Sequence, residues 1–327
     1  MSAVARALSA DDDVLAALRE RPRRLPCRLL YDATGSELFE QITGLDDYYP
    51  TRVEYRLLDE ILPLVADDTG PGARVIEPGA GAGCKTRRLL CALARPAAYV
   101  GIDVSPDSLE QTRQTLAREL PDLDVQMIAA DFTRPFSPPP PRRAIGKTLV
   151  FFPGSTIGNF EPFDAIVFLA SLARLAGPDG RLLLGADGTQ DAAALVRAYD
   201  DIDGVTAQFN LNVLEHLNRS RGAQFDRSAF RHRAVWNQRH SRVEMHLLSL
   251  RDQRVDIGGD TIVLAKGEPI VTEHAYKHTL VGLRGMLHAA GWEVRHVLTG
   301  KEQPMRLWWC APLVRPLQSL RERDAAP

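Results

Sequence analysis

Cysteine is scarce. Cys27, Cys84, Cys91 and Cys310 are the only four in 327 residues, and no two form a C-x-x-C pair. That excludes the usual zinc-ribbon and dithiol patterns and fits reduced thiols in a cytosol. Neither sign of charge is in excess: 40 basic and 42 acidic side chains leave a formal net charge of -2. With no overall field to hold a phosphate polymer or an anionic membrane, nucleic acid and membrane are not expected partners. Long apolar runs are missing too, since stretches such as 181–186 stop well short of the roughly 20 residues that cross a bilayer. The opening MSAVARALSADDDVLAAL carries acids where a secretory signal needs an unbroken apolar core. The expectation is a cytoplasmic, monomeric protein with a core large enough for one or two domains.

From about Val53 the sequence alternates short apolar runs with amphipathic stretches. ARVIE (73–77), AYVGID (98–103), DVQMIAA (124–130), KTLVFFP (147–153) and RLLLGAD (181–187) read as strands. Between them, 85–94, 106–119 and 162–176 bring apolar residues back every three or four positions, with Pro or Gly near the ends, and read as helices. Alternation of this kind predicts an α/β fold with a doubly wound, mostly parallel sheet. The proline-rich PFSPPPPRRAIGK (135–147) is a surface connection. After Gly188 the pattern changes: helical text runs to about Asn218, then AFRHRAVWN (229–237) and RVEMHLLSL (242–250) read as longer strands of a second unit. A helix over 280–291 and an antiparallel pair over 292–298 and 305–311 close the chain, placed to return to the sheet edge.

Directly after the first of these strands stands Glu77-Pro-Gly79-Ala-Gly81-Ala-Gly83. Glycines there let the backbone turn sharply and approach a ligand closely. A dinucleotide fingerprint needs its third glycine at the position of Cys84, so the spacing favours the first motif of class I methyltransferases over NAD binding. The next strand ends in Asp103, which suits ribose hydroxyls in either cofactor. The one after it ends in Asp131-Phe132, which suits an adenine amino group and ring face, although Asp131 alone could equally cap a helix. Acids at successive strand ends point to a ligand, because open α/β sheets bind at the carboxyl ends of their strands.

The stretches YDATGSELFEQITGLDDYYPTRVE (31–54), FFPGSTIGNFEP (151–162), RAYDDIDGVTAQFNLNVL (197–214) and RVEMHL (242–247) resemble the histidine Nα-methyltransferases of ergothioneine biosynthesis, over nearly the whole chain from about residue 25 to 290. The resemblance implies a Rossmann-like class I methyltransferase domain over 53–188 and 277–327, joined to a discontinuous α+β substrate-binding domain over 1–52 and 189–276. It implies S-adenosylmethionine as cofactor and a small amino acid as substrate, with histidine converted to its trimethyl betaine. Gly79, Gly81, Lys85, Asp103, Asp131 and Phe132 then match the cofactor positions. Tyr48, Asn159 and Tyr199 match the clamp on the amino acid's backbone end, which is where catalysis would be organised. Tyr31, Phe39 and Met245 match the side-chain pocket, and Glu273 the acid that binds the imidazole.

Three positions depart from that pattern. Ala275 replaces a serine that hydrogen-bonds the imidazole, Cys84 replaces a polar or acidic residue in the glycine loop, and the tail HVLTGKEQPMRLWWCAP lacks the usual tryptophan-aspartate ending. Ala275 leaves room for another aromatic amino acid, such as tryptophan or a derivative, as acceptor. A non-catalytic S-adenosylmethionine-binding protein would have no use for the Tyr48, Asn159 and Tyr199 clamp. No metal is expected, and the one suggestive histidine pair, His274 and His278 at i and i+4, could face one way on a helix.

Overall fold

The computed structural model describes residues 10–302 and 304–313. The signal-peptide reading over the first nine residues and the expected domain segments at 1–9 and 314–327 lie outside them. The chain opens with α1 (Ala10–Arg19), a two-residue strand β1 (Arg23–Arg24), a 3-10 turn (Cys27–Leu30), α2 (Ala33–Gly44) and the long α3 (Tyr49–Thr69). Strands and helices then alternate: β2 (Arg74–Pro78), α4 (Cys84–Ala92), β3 (Ala98–Asp103), α5 (Pro106–Glu119), β4 (Asp124–Ala129) and β5 (Thr148–Phe152). A 3-10 turn (Thr156–Asn159), α6 (Pro162–Ala176) and β6 (Arg181–Asp187) complete that series. Next come α7 (Ala192–Tyr199), α8 (Val205–Arg221), β7 (Phe230–Asn237), β8 (Arg242–Ser249), β9 (Gln253–Ile257), β10 (Asp260–Leu264) and β11 (Pro269–Tyr276). The described chain ends with α9 (Leu280–Ala289), β12 (Trp292–Thr299) and β13 (Met305–Pro312).

The larger sheet has the order β12-β13-β6-β5-β2-β3-β4. The five strands from β6 to β4 are parallel, and β13 runs antiparallel to both β6 and β12. This is the Rossmann-like class I methyltransferase arrangement, and the C-terminal strand pair does return to the sheet edge as expected. Its strands are apolar without alternation because helices cover both faces. One face packs Leu57, Leu58, Ile61 and Leu62 of α3, with Leu89 and Leu90 of α4, onto Val75 and Phe151. The other packs α6 and α9 onto Val150, Phe152 and Trp308. Local chemistry fixes the helix ends: the Ser105 hydroxyl accepts from the Ser108 N–H (3.3 Å) ahead of Pro106 in the first turn of α5, which satisfies one free donor of that turn.

The smaller sheet has the order β1-β11-β8-β7, with β1 parallel to β11 and the other pairs antiparallel. Together with α2 and α8 it encloses a second core that contains Tyr48, Tyr199, Phe209 and Met245. Val53 packs against the cores of both sheets, so α3 bridges them. Besides the two-residue β1, two strand regions escaped the sequence reading. One is the β9–β10 hairpin, turned by Gly258 and Gly259 at positive φ, and the other is β11.

Within β11 the register shifts between Val271 and Glu273. Before the shift Ile270 pairs with Leu247; after it Glu273 pairs with Met245 and Ala275 with Val243. The extra residue reverses which side chains face the core. Glu273, Ala275 and the following Lys277 therefore share the core side, while His274 and Tyr276 meet Glu161 on the other. This also corrects the reading of His274 and His278 as a pair on a helix, because His274 lies in β11 and His278 past its end, ahead of α9. Among the described residues no cluster of three or more His, Cys, Asp or Glu could hold a metal, and no helix is long and apolar enough to cross a membrane.

Candidate active site

The glycine loop turns out of β2 with Gly79, Gly81 and Gly83 all at positive φ. At Gly79 (φ 74°) a Cβ would also press to 3.3 Å from Cε1 of Phe132, so glycine is required twice over. Glu77 does not face the cleft. It is buried and accepts hydrogen bonds from Thr86 Oγ1 (2.5 Å) and Tyr99 OH (2.7 Å), tying β2, α4 and β3 together, and burial pushes its carboxyl up to about 8 despite those donors.

Asp103, at the tip of β3, accepts from the Gly81 N–H (3.0 Å) and the Ser105 N–H (3.0 Å), so its carboxylate is fixed beside the loop with further lone-pair positions free. Asp131 is not a helix cap. Its carboxylate accepts from the Thr133 N–H (3.0 Å) and hydroxyl (2.5 Å) and lies 3.6 Å from Arg28 Nε. Phe132 packs among Phe152, Phe160 and Phe168 at ring separations of 6.0, 6.5 and 6.0 Å.

Lys85, at the start of α4, is ion-paired with Glu54 of α3. Glu54 was not anticipated. It is 1% exposed, and its two oxygens accept from the Gly154 N–H at 2.8 and 3.0 Å. It reaches there through the space left by Gly185, where a Cβ would lie 1.9 Å from Glu54 Oε1. A single buried carboxylate thus ties α3 to α4 and to the loop that follows β5.

Asn159 ends the 3-10 turn after β5 and, with Phe132, Cys27, Arg28 and Glu273, lines a cleft of about 870 Å³. Glu273 is 7% exposed, and its carboxylate has no hydrogen-bond partner among the described residues. Burial raises it to about 7, with the Lys277 charge opposing. Behind it lies an aromatic cluster. Tyr31 meets Phe39 and Phe209 edge-on at 5.5 Å, Phe39 meets Tyr48 at 6.3 Å, and Tyr48 meets Tyr199 at 6.1 Å. Burial lifts the Tyr31, Tyr48 and Tyr199 phenols well above their ordinary value, and the Glu273 charge adds to that. They therefore stay protonated and keep a hydrogen to donate. Met245 and Ala275 complete the wall on the smaller sheet, 2% and 3% exposed.

The anticipated residues thus form two groups. Gly79, Gly81, Asp103, Asp131, Phe132 and Lys85 stand at the carboxyl edge of the larger sheet. Tyr31, Phe39, Tyr48, Tyr199, Met245, Glu273 and Ala275 stand in the smaller lobe, and Asn159 sits on the larger sheet's side of the cleft that joins them. Besides Glu54, the sequence reading missed Cys27, whose thiol is pushed up to about 12 by burial and then by the Glu273 charge, and the buried Lys277. A lysine at i+4 from an acid on a strand marks the same face, but only once β11 is known to be a strand.

The model of a family described as "Histidine-specific methyltransferase, SAM-dependent" matches residues 10–312. A histidine N-alpha-methyltransferase of Mycobacterium tuberculosis is 40% identical over 288 residues, covering 85% of this chain and 87% of that protein. Another of that name, from Mycolicibacterium smegmatis, is 37% identical over 309 residues, covering 92% and 90%. Ergothioneine biosynthesis protein 1 of Neurospora crassa is 34% identical over 204 residues, which is 61% of this chain and 23% of that much longer protein.

Proposed function

As the chain belongs to the histidine-specific, S-adenosylmethionine-dependent methyltransferase family, it is an enzyme with S-adenosylmethionine as methyl donor, and we propose that its acceptor is the α-amino group of L-histidine, taken to the trimethyl betaine. The observation that carries this reading is Glu273: a buried carboxylate with no hydrogen-bond partner among the described residues, near enough to Tyr31, Tyr48 and Tyr199 for its charge to raise their phenols. A buried acceptor left without a donor is costly, and an imidazole N–H supplies one.

The donor's residues fit. Gly79 and Gly81 give the close backbone approach, the free lone pairs of Asp103 suit ribose hydroxyls, and Asp131 with Phe132 suits the adenine. When bound, S-adenosylmethionine supplies a methyl group made electrophilic by the sulfonium. The chain's part is orientation. In this proposal Asn159 and the protonated phenols of Tyr48 and Tyr199 hold the amino acid's carboxylate while Glu273 holds the far end of its side chain, so that the amine faces the glycine loop. Holding a nitrogen about 3 Å from the reacting carbon is worth several kcal/mol through pre-ordering alone. The amine reacts only after losing its proton to water or a nearby acceptor.

We assign donor binding to 53–188 and 277–327 and acceptor binding to 1–52 and 189–276, with Asn159 reaching the acceptor from the donor-binding part. The balanced charge and scattered thiols support a cytoplasmic enzyme acting on a free small molecule rather than on nucleic acid, and we take it to be a monomer. A second acceptor reading rests on Ala275, which offers no hydrogen bond and leaves space for a larger ring, as in tryptophan. Incubating purified protein with S-adenosylmethionine and each amino acid in turn, with product masses read out, tests both. Three added methyl groups on histidine support the first reading, and addition to tryptophan alone replaces it with the second.

A further inference from the structure

Lys277 is 2% exposed and lies between the two sheets, in the segment that leaves β11. Its ammonium donates to the Tyr199 hydroxyl (2.9 Å) and stands 3.1 Å from Asp187, the last residue of β6. Asp187 is wholly buried, and its remaining lone pairs accept from Tyr49 OH (2.5 Å), Thr189 N–H (3.0 Å) and Thr189 Oγ1 (2.7 Å). Nothing in the cofactor or acceptor assignments uses this pair, yet it joins the ends of β6 and β11 to Tyr199.

An ammonium has three hydrogens to give and no lone pair to receive with, so in its contact with Lys277 the Tyr199 oxygen can only accept. The phenol's own hydrogen cannot point back along that line. The Lys277 side is closed to it, which leaves the side where Tyr48 and the acceptor pocket lie. Resting on the acceptor assignment above, we propose that Lys277 is a positioning residue: it makes Tyr199 an obligate donor toward the pocket and thereby makes the enzyme select amino acids with a free carboxylate. A carboxylate accepts at both oxygens, whereas a carboxamide accepts at only one of the two positions, so Tyr199 and a donor at the other position cannot both be satisfied. Asp187 holds the ammonium in place and balances its charge, and so keeps the cation buried where it can act on Tyr199.

The experiment compares L-histidine with L-histidinamide in the wild type and in Lys277→Met, Tyr199→Phe and their double variant, alongside calorimetric binding of S-adenosylmethionine. Lys277→Met should raise KM for histidine by about tenfold or more, leave KM for histidinamide within about threefold, and leave the affinity for S-adenosylmethionine within about twofold. On the Tyr199→Phe background it should have no further effect on the ratio of the two substrates, because the group it orients is already gone. If Lys277→Met does not fold, Lys277→Met with Asp187→Asn leaves no lone buried charge and should show the same loss of discrimination. The proposal is overturned if either variant keeps the wild-type preference for histidine over histidinamide, or if the Lys277 and Tyr199 effects multiply independently. Wild-type protein that neither binds nor methylates histidine would instead overturn the acceptor assignment, and this inference with it.

Discussion

Glu273 and Met245 stand directly opposite each other across β11 and β8, and the shift in register just before Glu273 brings the carboxylate to the methionine's side of the sheet. An acid is thereby placed on a face otherwise occupied by Val243, Met245, Leu247 and Ala275.

Glu273 holds its proton more tightly in the folded protein, at about 7 against an ordinary 4.5. Between those values the native state binds more protons than the unfolded chain, so this group lowers stability as pH rises through the window. Glu273→Gln carries no such proton. Relative to wild type, the variant should gain up to about 3 kcal/mol of stability between pH 4.5 and 7. Urea unfolding of both proteins at several pH values reads the difference directly, and a constant offset would contradict the raised value.

Ala275→Ser restores a hydroxyl two residues from Glu273 on the same face. If an imidazole nitrogen is otherwise left unpaired there, histidine should bind about tenfold to a hundredfold more tightly, the worth of roughly 1–3 kcal/mol. Titration calorimetry with histidine and with tryptophan checks this. A serine variant that gains tryptophan affinity instead would favour the second acceptor.

In the proposed arrangement Asn159 holds the acceptor, and it lies apart from the loop contacts of Gly81 and Asp103. Asn159→Ala should therefore abolish turnover, read as product mass, while calorimetry shows nearly unchanged binding of S-adenosylmethionine. Parallel loss of that binding would show that the two groups of residues are divided in the wrong place.

Gly79→Ala forces an L side chain into φ 74° and against Phe132. Left-handed backbone costs a non-glycine residue roughly 1–2 kcal/mol, so affinity for S-adenosylmethionine should fall about tenfold while histidine affinity measured without the donor stays within about threefold. Equal loss of both ligands would indicate that the whole cleft had shifted.

Much of the larger sheet is legible in the residues themselves. Its buried parallel strands announce themselves as unbroken apolar runs, and Asp103 at the tip of β3 and Asp131 two residues past β4 lie along the carboxyl edge proposed for the donor. The smaller sheet is harder to read. A period of two counted from Ile270 puts Thr272, His274 and Tyr276 inside, and one inserted residue puts Glu273 and Ala275 there instead. Pattern alone could not locate that insertion, because the Thr272 hydroxyl that anchors it donates to Asn210 (2.6 Å), 62 residues away. Glu54 was hidden for a similar reason. An acid in an amphipathic helix reads as solvent-facing unless the gap left by Gly185 is known.

Glu161 follows Asn159 by two residues and His274 follows Glu273 by one, and the Glu161 carboxylate accepts from His274 Nδ1 (2.8 Å), Tyr276 OH (2.5 Å) and Arg24 (2.5 Å). Burial alone would raise this acid, but the Tyr276, Arg24 and His274 bonds hold it at about 2, so it stays ionised throughout the range in which the protein works. The consequence is a gauge of length. In the proposed arrangement, the span from Asn159 to Glu273 that an acceptor would match from backbone to ring is held by the Glu161–His274 brace, whose members line the same cleft.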